Sequence, residues 1–176
     1  MHDPLPIRPP LTTTGVSAYE NEHHIIIAAN RCYRGPMGFD MSIVPILLPR
    51  NCSNDQLGAS ISSGLTMSRI VSIEELKSFS ADVDRHQKFE NWMGEFITAI
   101  GYKSQKAYYK KMMLCRIELE DGTITIFPTV HERLKAWGVE KGDELAPIVL
   151  SVGYTTTQLG EALRHGFGRC FARRSF

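Results

Sequence analysis

Apolar side chains recur along the chain with two different periods, and these periods separate the predicted helices from the predicted strands. The clearest helical period lies between Asp84 and Ile100, where apolar residues follow an i, i+3, i+4 spacing and Gly101 ends the segment. Three further helices are predicted behind side chains that favour N-cap positions, which are Ser53, Ser72 and Ser104. The first part of the chain therefore combines several helices with the strands described next.

Short runs of β-branched residues predict the strands. His24–Asn30 is apolar and rich in isoleucine, which is typical of a buried strand. Ile43–Pro49 is a second strand, and Pro45 should confine it to a sheet edge or a bulge because proline has no amide hydrogen to donate. A last strand is predicted around Pro147–Val152. The segment Val130–Gly138 instead has the pattern of a short helix with a glycine past its end.

A β-hairpin is predicted between Met113 and Pro128, and its register follows from its turn. The two-residue turn Asp121–Gly122 favours type I′ geometry. This turn places Leu119 opposite Ile124 and Ile117 opposite Ile126 on one face. The opposite face then carries two mixed pairs, Glu118 with Thr125 and Arg116 with Phe127. One face is expected to be core and the other mostly solvated, as in an antiparallel sheet.

The order of these elements predicts the fold class. Strands and helices are mixed without regular βαβ alternation, which favours an α+β fold with a central, mainly antiparallel sheet of about five strands packed with helices. Residues 1–22, rich in proline and threonine, are predicted to form an extended lead-in. Residues 23–176 are then a single α+β domain, as expected for a chain of this length.

Two segments of similar sequence lie 102 residues apart. DQLGASISSGL begins at Asp55 and TQLGEALRHGF begins at Thr157, and both keep helical spacing. Gly64 and Gly166 fall on the apolar faces, where a bare backbone favours close packing; a phosphate-binding loop would need its glycines before the helix start. The similarity could arise by chance, because two amphipathic helices share the same constraints on sequence. It could also reflect two equivalent helices that cover one sheet.

Composition and charge narrow the functional classes. A net charge of +1 argues against a basic nucleic-acid binder, although a nucleic-acid module that uses the basic C-terminal helix around Arg169 stays a third hypothesis. The cysteines, which are expected to be half-buried thiols, form no C-x-x-C pair, so structural zinc is not expected. They are Cys32, Cys52, Cys115 and Cys170. No apolar run is long enough to span a bilayer and no signal peptide is recognisable, so we expect a cytoplasmic protein.

Candidate catalytic residues form no convincing set. Glu75 and Lys77 resemble half of a metal-dependent nuclease site, but that site needs a strand and these residues follow a helix start. His131 and Glu132 could transfer a proton, yet they are predicted to begin a helix, where an exposed glutamate is favoured by the helix dipole. We therefore expect no catalytic residues, metal or cofactor, and keep a metal-dependent nuclease or hydrolase as the alternative.

A loop rich in glycine and proline carries the best candidate binding residues. It combines arginines and aromatic side chains, which dominate binding hot spots. These residues are Arg31, Tyr33, Arg34, Phe39 and Asp40. The alternative interpretation is an ordinary loop with a half-buried tyrosine and phenylalanine.

Several short segments, taken in order, resemble the immunity proteins of bacterial contact-dependent growth inhibition systems. The segments are RCY at 31–33, GYKSQKA at 101–107, KMMLC at 111–115, PTVHERLKAW at 128–137 and LGEALRHGFGRC at 159–170. The resemblance implies a small cytoplasmic α+β protein, without catalysis, that binds and neutralises the C-terminal toxin domain of a surface-delivered effector. In similar pairs the toxin is a nuclease, and some immunity proteins accept a toxin β-hairpin by strand addition, for which Ile43–Leu48 would be suitable.

Overall fold

The computed structural model of the chain describes residues 13–33, 35–139 and 145–173. Within those ranges the strands are β1 (Thr14–Glu20), β2 (His24–Cys32), β3 (Pro36–Phe39), β4 (Ile46–Pro49), β5 (Arg69–Ile70), β6 (Met113–Glu120), β7 (Thr123–Pro128), β8 (Val130–Arg133), β9 (Ala136–Gly138), β10 (Ile148–Leu150) and β11 (Phe171–Ala172). The helices are α1 (Asn54–Met67), α2 (Ile73–Ala81), α3 (Arg85–Ala99), α4 (Gln105–Tyr109) and α5 (Thr156–Arg169). No helix in these ranges is long and apolar enough to cross a membrane.

One large sheet organises the fold and confirms the predicted α+β class. Its strands follow the order β10-β7-β6-β1-β2-β3, and β4 and β5 also pair with β2. All of these pairings are antiparallel except that between β2 and β5. A smaller sheet joins β11, β8 and β9. The described part of the chain thus has more strands than the five expected from the sequence.

The central hairpin has the register predicted from its turn. Asp121 and Gly122 both have positive φ, at 48° and 77°, as a type I′ turn requires. Leu119 pairs with Ile124 and Ile117 pairs with Ile126. The other two predicted pairs, Glu118 with Thr125 and Arg116 with Phe127, are also present. A two-residue turn with left-handed geometry leaves no freedom for strand slippage, which explains why the sequence alone determined this register.

The expectation of a lead-in over residues 1–22 is wrong for residues 14–20. These residues form β1, which pairs with β2 on one side and with β6 on the other, so β1 is an interior strand. Val16 and Ala18 on β1 are fully buried in the main core. β1 also contains Gly15 and Ala18, two residue types that are depleted in strands, so burial between two partner strands contributes to its conformation. Residues 1–12 lie outside the described ranges.

Val130–Gly138 forms the β8–β9 hairpin, and the predicted helix there is wrong. Val130 pairs with Gly138 and His131 pairs with Trp137 across the hairpin. On its other side β8 pairs in parallel with β11. Glu, Arg, Leu, Lys and Ala are good helix formers, but two strand partners and the burial of Val130 and His131 override that local preference.

Helices α1 and α5 cover one face of the sheet, and the glycines explain how closely they pack. α1 lies on β1 and β2, while α5 lies on β6 and β7. A Cβ on Gly64 would lie 2.9 Å from both Val16 and Ile27, and a Cβ on Gly166 would lie 3.0 Å from Cys115. Both helices also begin with a capping box. The glycines therefore serve packing, and the two similar segments are equivalent helices on one sheet.

The opposite face of the sheet holds a second core beneath α3 and α4. Alternate residues of β2 point to opposite faces, so Ile25 and Ile27 face α1 while Ile26 faces α3 and α4. The buried members of this second core are Ile26, Met93, Ile97, Tyr108, Tyr109 and Met112. The four cysteines are free and buried, more deeply than the expected half-buried thiols. This arrangement leaves part of the second face open, which is where the candidate site lies.

Candidate binding site

A cleft of about 530 Å³ opens on the sheet face that carries α3 and α4. Its floor comes from β1, β2 and β6, and its walls come from β3, α3, α4 and β9. Most of the lining side chains are apolar or aromatic. The aromatic side chains of the lining include Tyr19, Phe39, Phe89, Trp92, Phe96 and Trp137. A concave site of this size and composition is typical of a binding site.

The wall formed by α3 is a continuous aromatic surface. Trp92 and Phe96 stack with ring centroids 5.4 Å apart and an interplanar angle of 5°. Phe39 on β3 contacts both Trp92 and Phe89, with centroids 5.3 Å and 5.5 Å apart. The helical period places Phe89, Trp92 and Phe96 toward the cleft, half-buried, while Met93 reaches the core. Part of the surface of these three aromatic rings therefore stays accessible to solvent, although the rings pack against the second core.

The polar groups near the cleft include an ion pair at its edge and a buried phenol on its floor. Lys135 in the turn between β8 and β9 donates to both carboxylate oxygens of Glu90 on α3, at 3.0 Å and 2.8 Å. The hydrogen bond from Lys135, followed by one from Gln105, lowers the pKa of Glu90. Burial raises the pKa of the Tyr19 phenol to about 12, so this side chain stays neutral. The lowered pKa of Glu90 and the raised pKa of Tyr19 both move these two groups away from proton transfer near neutral pH.

The residues predicted to bind are separated by the fold into different roles. Phe39 lines the cleft, as described. Arg31 on β2 instead places its guanidinium carbon 3.7 Å from the centre of the Phe79 ring on α2. Tyr33 follows β2 and donates its backbone N–H to the carbonyl of Gly35. Arg34 lies outside the described residues.

Asp40 is buried and supports the loop after β3. It accepts hydrogen bonds from the backbone N–H and the hydroxyl of Ser42, at 3.0 Å and 2.7 Å, and from Arg69 Nε at 2.8 Å. Burial by itself would raise the pKa of Asp40, but these hydrogen bonds and the Arg69 charge together lower it. A carboxylate with this many internal partners holds the loop between β3 and β4 in place. The hydrogen bonds of Asp40 to Ser42 and Arg69 are those of a residue that stabilises the fold.

The residues of the hydrolase alternative are not arranged as a catalytic site. Glu75 and Lys77 lie on α2, and Glu75 forms an ion pair with Arg69 at 3.0 Å. His131 is fully buried in β8 and stacks on Trp137, with centroids 4.6 Å apart. Its predicted place at a helix start is therefore wrong, as is that of Glu132. No group of three or more potential metal ligands occurs within the described ranges.

The arginines of α5 bind within the protein. Arg164 donates to Asn54 Oδ1 at 2.9 Å and to the carbonyls of Arg50 and Cys52. Arg169 donates to the carbonyl of Ala146 at 2.9 Å. These side chains tie α5 to neighbouring segments, so part of their hydrogen-bonding capacity is used within the protein. This observation weighs against the hypothesis of a nucleic-acid module on the C-terminal helix.

Strand β4 lies at a sheet edge, as its proline predicted. Among the described strands it pairs only with β2. Arg50 N donates to His23 O across this pair, so by alternation the amides of 46 and 48 also face β2. The outward positions are then Pro45, just before the strand, Leu47 and Pro49. Only Leu47 can offer an outward amide hydrogen, because proline has none.

The cleft was not predicted as a unit from the sequence. The signal that could have indicated it is the spacing of Phe89, Trp92 and Phe96 at i, i+3 and i+7 on one helix. Such an aromatic stripe is usually part of a buried core, and these three side chains do pack against the second core. The opposite wall includes Ala136 and Trp137 of β9, which belong to the hairpin that was predicted to be a helix.

Comparison with known proteins identifies relatives of this fold. A family model described as CDI immunity protein matches residues 14–170. The immunity protein CdiI-YPIII of Yersinia pseudotuberculosis serotype O:3 (strain YPIII) is 35% identical over 86 residues, which is 48% of each of the two chains. The match therefore spans about half the length of this curated relative.

Two solved structures share the fold over nearly the whole chain. The protein of unknown function NMB0488 from Neisseria meningitidis has a TM-score of 0.82 and 25% identity, covering 93% of this chain and 98% of that one. A chain of the CdiA-CT/CdiI toxin and immunity complex from Yersinia pseudotuberculosis has a TM-score of 0.79 and 23% identity, covering 92% and 99%. The second likeness is one of fold. Because the family model covers most of its length, the chain belongs to the CDI immunity protein family.

Proposed function

We propose that this protein binds and neutralises the cognate toxin domain of a contact-dependent growth inhibition effector, and that the aromatic cleft is the principal docking surface. Family membership supports the role of an immunity protein. The observation that carries the choice of surface is the accessible aromatic wall of Phe39, Phe89 and Trp92 above the sheet. An open aromatic surface beside a packed core is energetically costly unless a partner covers it.

The chemistry of the cleft suits a protein segment as the ligand. Tryptophan, tyrosine and phenylalanine supply large contact areas and dominate protein-binding hot spots. Lys135 and Glu90 at the rim add polar groups that orient a partner without blocking the apolar floor. A volume of about 530 Å³ accommodates a few side chains of a loop or hairpin. The cleft is therefore suited to an apolar toxin segment with polar flanks.

Strand addition at β4 is a second contact that we propose, and the structure limits its extent. Leu47 supplies an outward amide, while Pro45 and Pro49 supply outward carbonyls but no donors. A toxin strand would thus form fewer hydrogen bonds than a full β-ladder gives. Pro45 also lines the cleft, so a strand at this edge would continue directly into it. We expect side chains in the cleft to contribute more affinity than the edge.

This function requires no catalysis by the chain itself. We propose that inhibition is steric, with the immunity protein covering the toxin's active site in the cytoplasm, and that the toxin is a nuclease. A small apolar and aromatic surface can supply high affinity without strong charge complementarity, which agrees with a net charge of only +1. Recognition would then rest on shape and aromatic area.

A titration tests both parts of this proposal. The purified toxin domain encoded immediately upstream would be assayed on RNA and DNA with increasing amounts of this chain. We expect nucleic-acid cleavage by the toxin alone and its loss at one equivalent of the chain. Cleavage that continues at a large excess of folded chain would contradict neutralisation. A toxin that is inhibited in cells but cleaves neither nucleic acid would contradict only the nuclease assignment.

A further inference from the structure

We propose that Arg31, Arg85 and His86 form a cationic site beside the cleft that accepts a carboxylate side chain of the toxin. This inference rests on the proposed function and adds the chemistry of the partner. The site is a depression of about 290 Å³ lined by Arg31, Met41, Phe79, Arg85, His86 and Phe89. Three of the six lining residues carry or can carry positive charge, and none is acidic.

The guanidinium groups of Arg31 and Arg85 both lie close to the ring of Phe79. The Arg31 guanidinium carbon lies 3.7 Å from the ring centre, and that of Arg85 lies 5.6 Å from it. A cation stacked on an aromatic ring is attracted to its face and loses conformational freedom. Both donors are thus partly ordered before a ligand arrives. Ordered guanidinium groups are well suited to bind a carboxylate through two parallel hydrogen bonds.

Neither Arg31 nor Arg85 forms an ion pair with a described carboxylate, in contrast to neighbouring cations, although the pKa of Asp82 is lowered by its hydrogen bond with Lys88 and also by the charge of Arg85. Arg69, the strand neighbour of Arg31, pairs with Asp40 at 2.8 Å and with Glu75 at 3.0 Å. Lys88, one turn after Arg85, pairs with Asp82 at 2.7 Å. No carboxylate oxygen of the described residues forms an ion pair with a side-chain nitrogen of Arg31 or Arg85 within 4.0 Å. Their hydrogen-bonding capacity is therefore available to a partner.

The cationic site is continuous with the cleft. Phe89 lines both depressions, and Met37 lines the cleft together with a small cavity that Arg31 also borders. A toxin segment that fills the cleft would pass over this site at its α2 end. An acidic side chain at that point of the toxin would meet both arginines. The site therefore adds charge recognition to an otherwise apolar contact.

A protein carboxylate fits this site better than a nucleic acid does. Nucleic-acid binding needs many phosphate contacts along a basic surface, whereas here the cations are confined to one small depression. Glu75 borders the neighbouring cavity, and Asp82 and Asp84 lie in the segment between α2 and α3. These carboxylates would repel an extended phosphate backbone more than they would repel the single carboxylate of a side chain.

The test compares affinities of the toxin domain for the full chain and for variants of one residue. Arg85→Glu reverses the charge of the site, and Arg85→Gln removes it. Lys103→Glu is the matched control, because Lys103 is exposed, lies between α3 and α4 and borders none of these depressions. Kd would be measured at about 0.1 M and about 1 M salt, where the Debye length is about 10 Å and about 3 Å. Thermal unfolding would confirm that each variant is folded.

We expect Arg85→Glu to weaken binding at least about tenfold at the lower salt concentration, with a smaller loss for Arg85→Gln and at the higher concentration. Lys103→Glu should change Kd by less than about twofold. Equal affinities of wild type and Arg85→Glu would overturn the inference and leave the proposed function intact, whereas no binding by the wild type would remove both. The inference would also fail if wild type bound single-stranded RNA and Arg85→Glu lost only that binding.

Discussion

Gly160 of α5 lies against the backbone of Asn54 in α1, and a Cβ at Gly160 would be 2.7 Å from the Asn54 carbonyl carbon. The reciprocal contact joins Gly58 of α1 to Thr156 of α5, where a Cβ would be 2.6 Å from the carbonyl carbon. Each helix thus approaches the first turn of the other at a residue without a side chain. This contact sets the distance between the two helices that cover the sheet.

Replacing Gly160 by alanine should destabilise the protein. The new methyl group would meet backbone atoms, which cannot rotate away, so the helices must separate. We expect a loss of at least about 2 kcal/mol in the free energy of unfolding, measured by urea denaturation.

Gly168→Ala is the matched control on the same helix. No atom lies within 4 Å of the position its Cβ would take. Alanine has the higher helix propensity, so this variant should gain up to about 1 kcal/mol. Equal stability changes for the two variants would contradict the packing explanation of the glycines.

Trp92→Ala should weaken toxin binding more than it weakens the fold. Trp92 is half-buried and stacks between Phe39 and Phe96 in the wall of the cleft. Its removal should cost about 2 kcal/mol or more of binding free energy, which is roughly 30-fold in Kd. Calorimetric titration with the toxin domain measures this. Val149→Ala on β10, exposed and outside the cleft, should leave Kd unchanged.

Leu47→Pro tests strand addition at the β4 edge. The Leu47 amide faces away from β2, so proline there removes the one outward donor of β4 and keeps its pairing with β2. If a toxin strand pairs with this edge, Kd should rise about tenfold, the value of roughly one hydrogen bond. An unchanged Kd, together with an unchanged melting temperature, would restrict recognition to the cleft.

Stability should decrease as the pH falls below the ordinary pKa of histidine. Burial lowers the pKa of His131 from 6.5, and burial followed by the charge of His23 lowers the pKa of His24. The unfolded chain then binds protons first, so stability is full above pH 6.5 and is lost as pH falls through the folded-state values. His131→Phe should keep the stacking on Trp137 and reduce the slope of melting temperature against pH. An identical slope in both proteins would contradict the prediction.

The elements that the sequence predicted correctly are those whose geometry is fixed by one or two residues at a turn, an N-cap or a proline. The Asp121–Gly122 turn fixed the hairpin register, and N-cap serines located α1, α2 and α4. The edge position predicted for the strand Ile43–Pro49 is confirmed, although the strand begins at Ile46 and Pro45 therefore lies just before it. In each case one residue type imposes a geometry that tertiary contacts do not reverse.

The failures concern segments whose conformation depends on distant partners. Val130–Gly138 becomes a hairpin because β11, which comes more than 30 residues later, pairs with β8. β1 becomes an interior strand because β2 and β6 enclose it. For the candidate binding site, the sequence selected Phe39, which lines the cleft, and its role in binding stays a prediction. The ion pair of the buried Asp40 with the partly exposed Arg69 becomes visible only when β3 and β5 meet β2.

The most direct test of the central claim is a growth assay with affinity capture. Cells would produce the toxin domain encoded immediately upstream, together with wild-type chain, with Trp92→Ala or with Val149→Ala. We predict growth and a stable captured complex with wild type and Val149→Ala, and reduced growth with less complex for Trp92→Ala. Growth arrest and no captured complex with the folded wild-type chain would contradict the account.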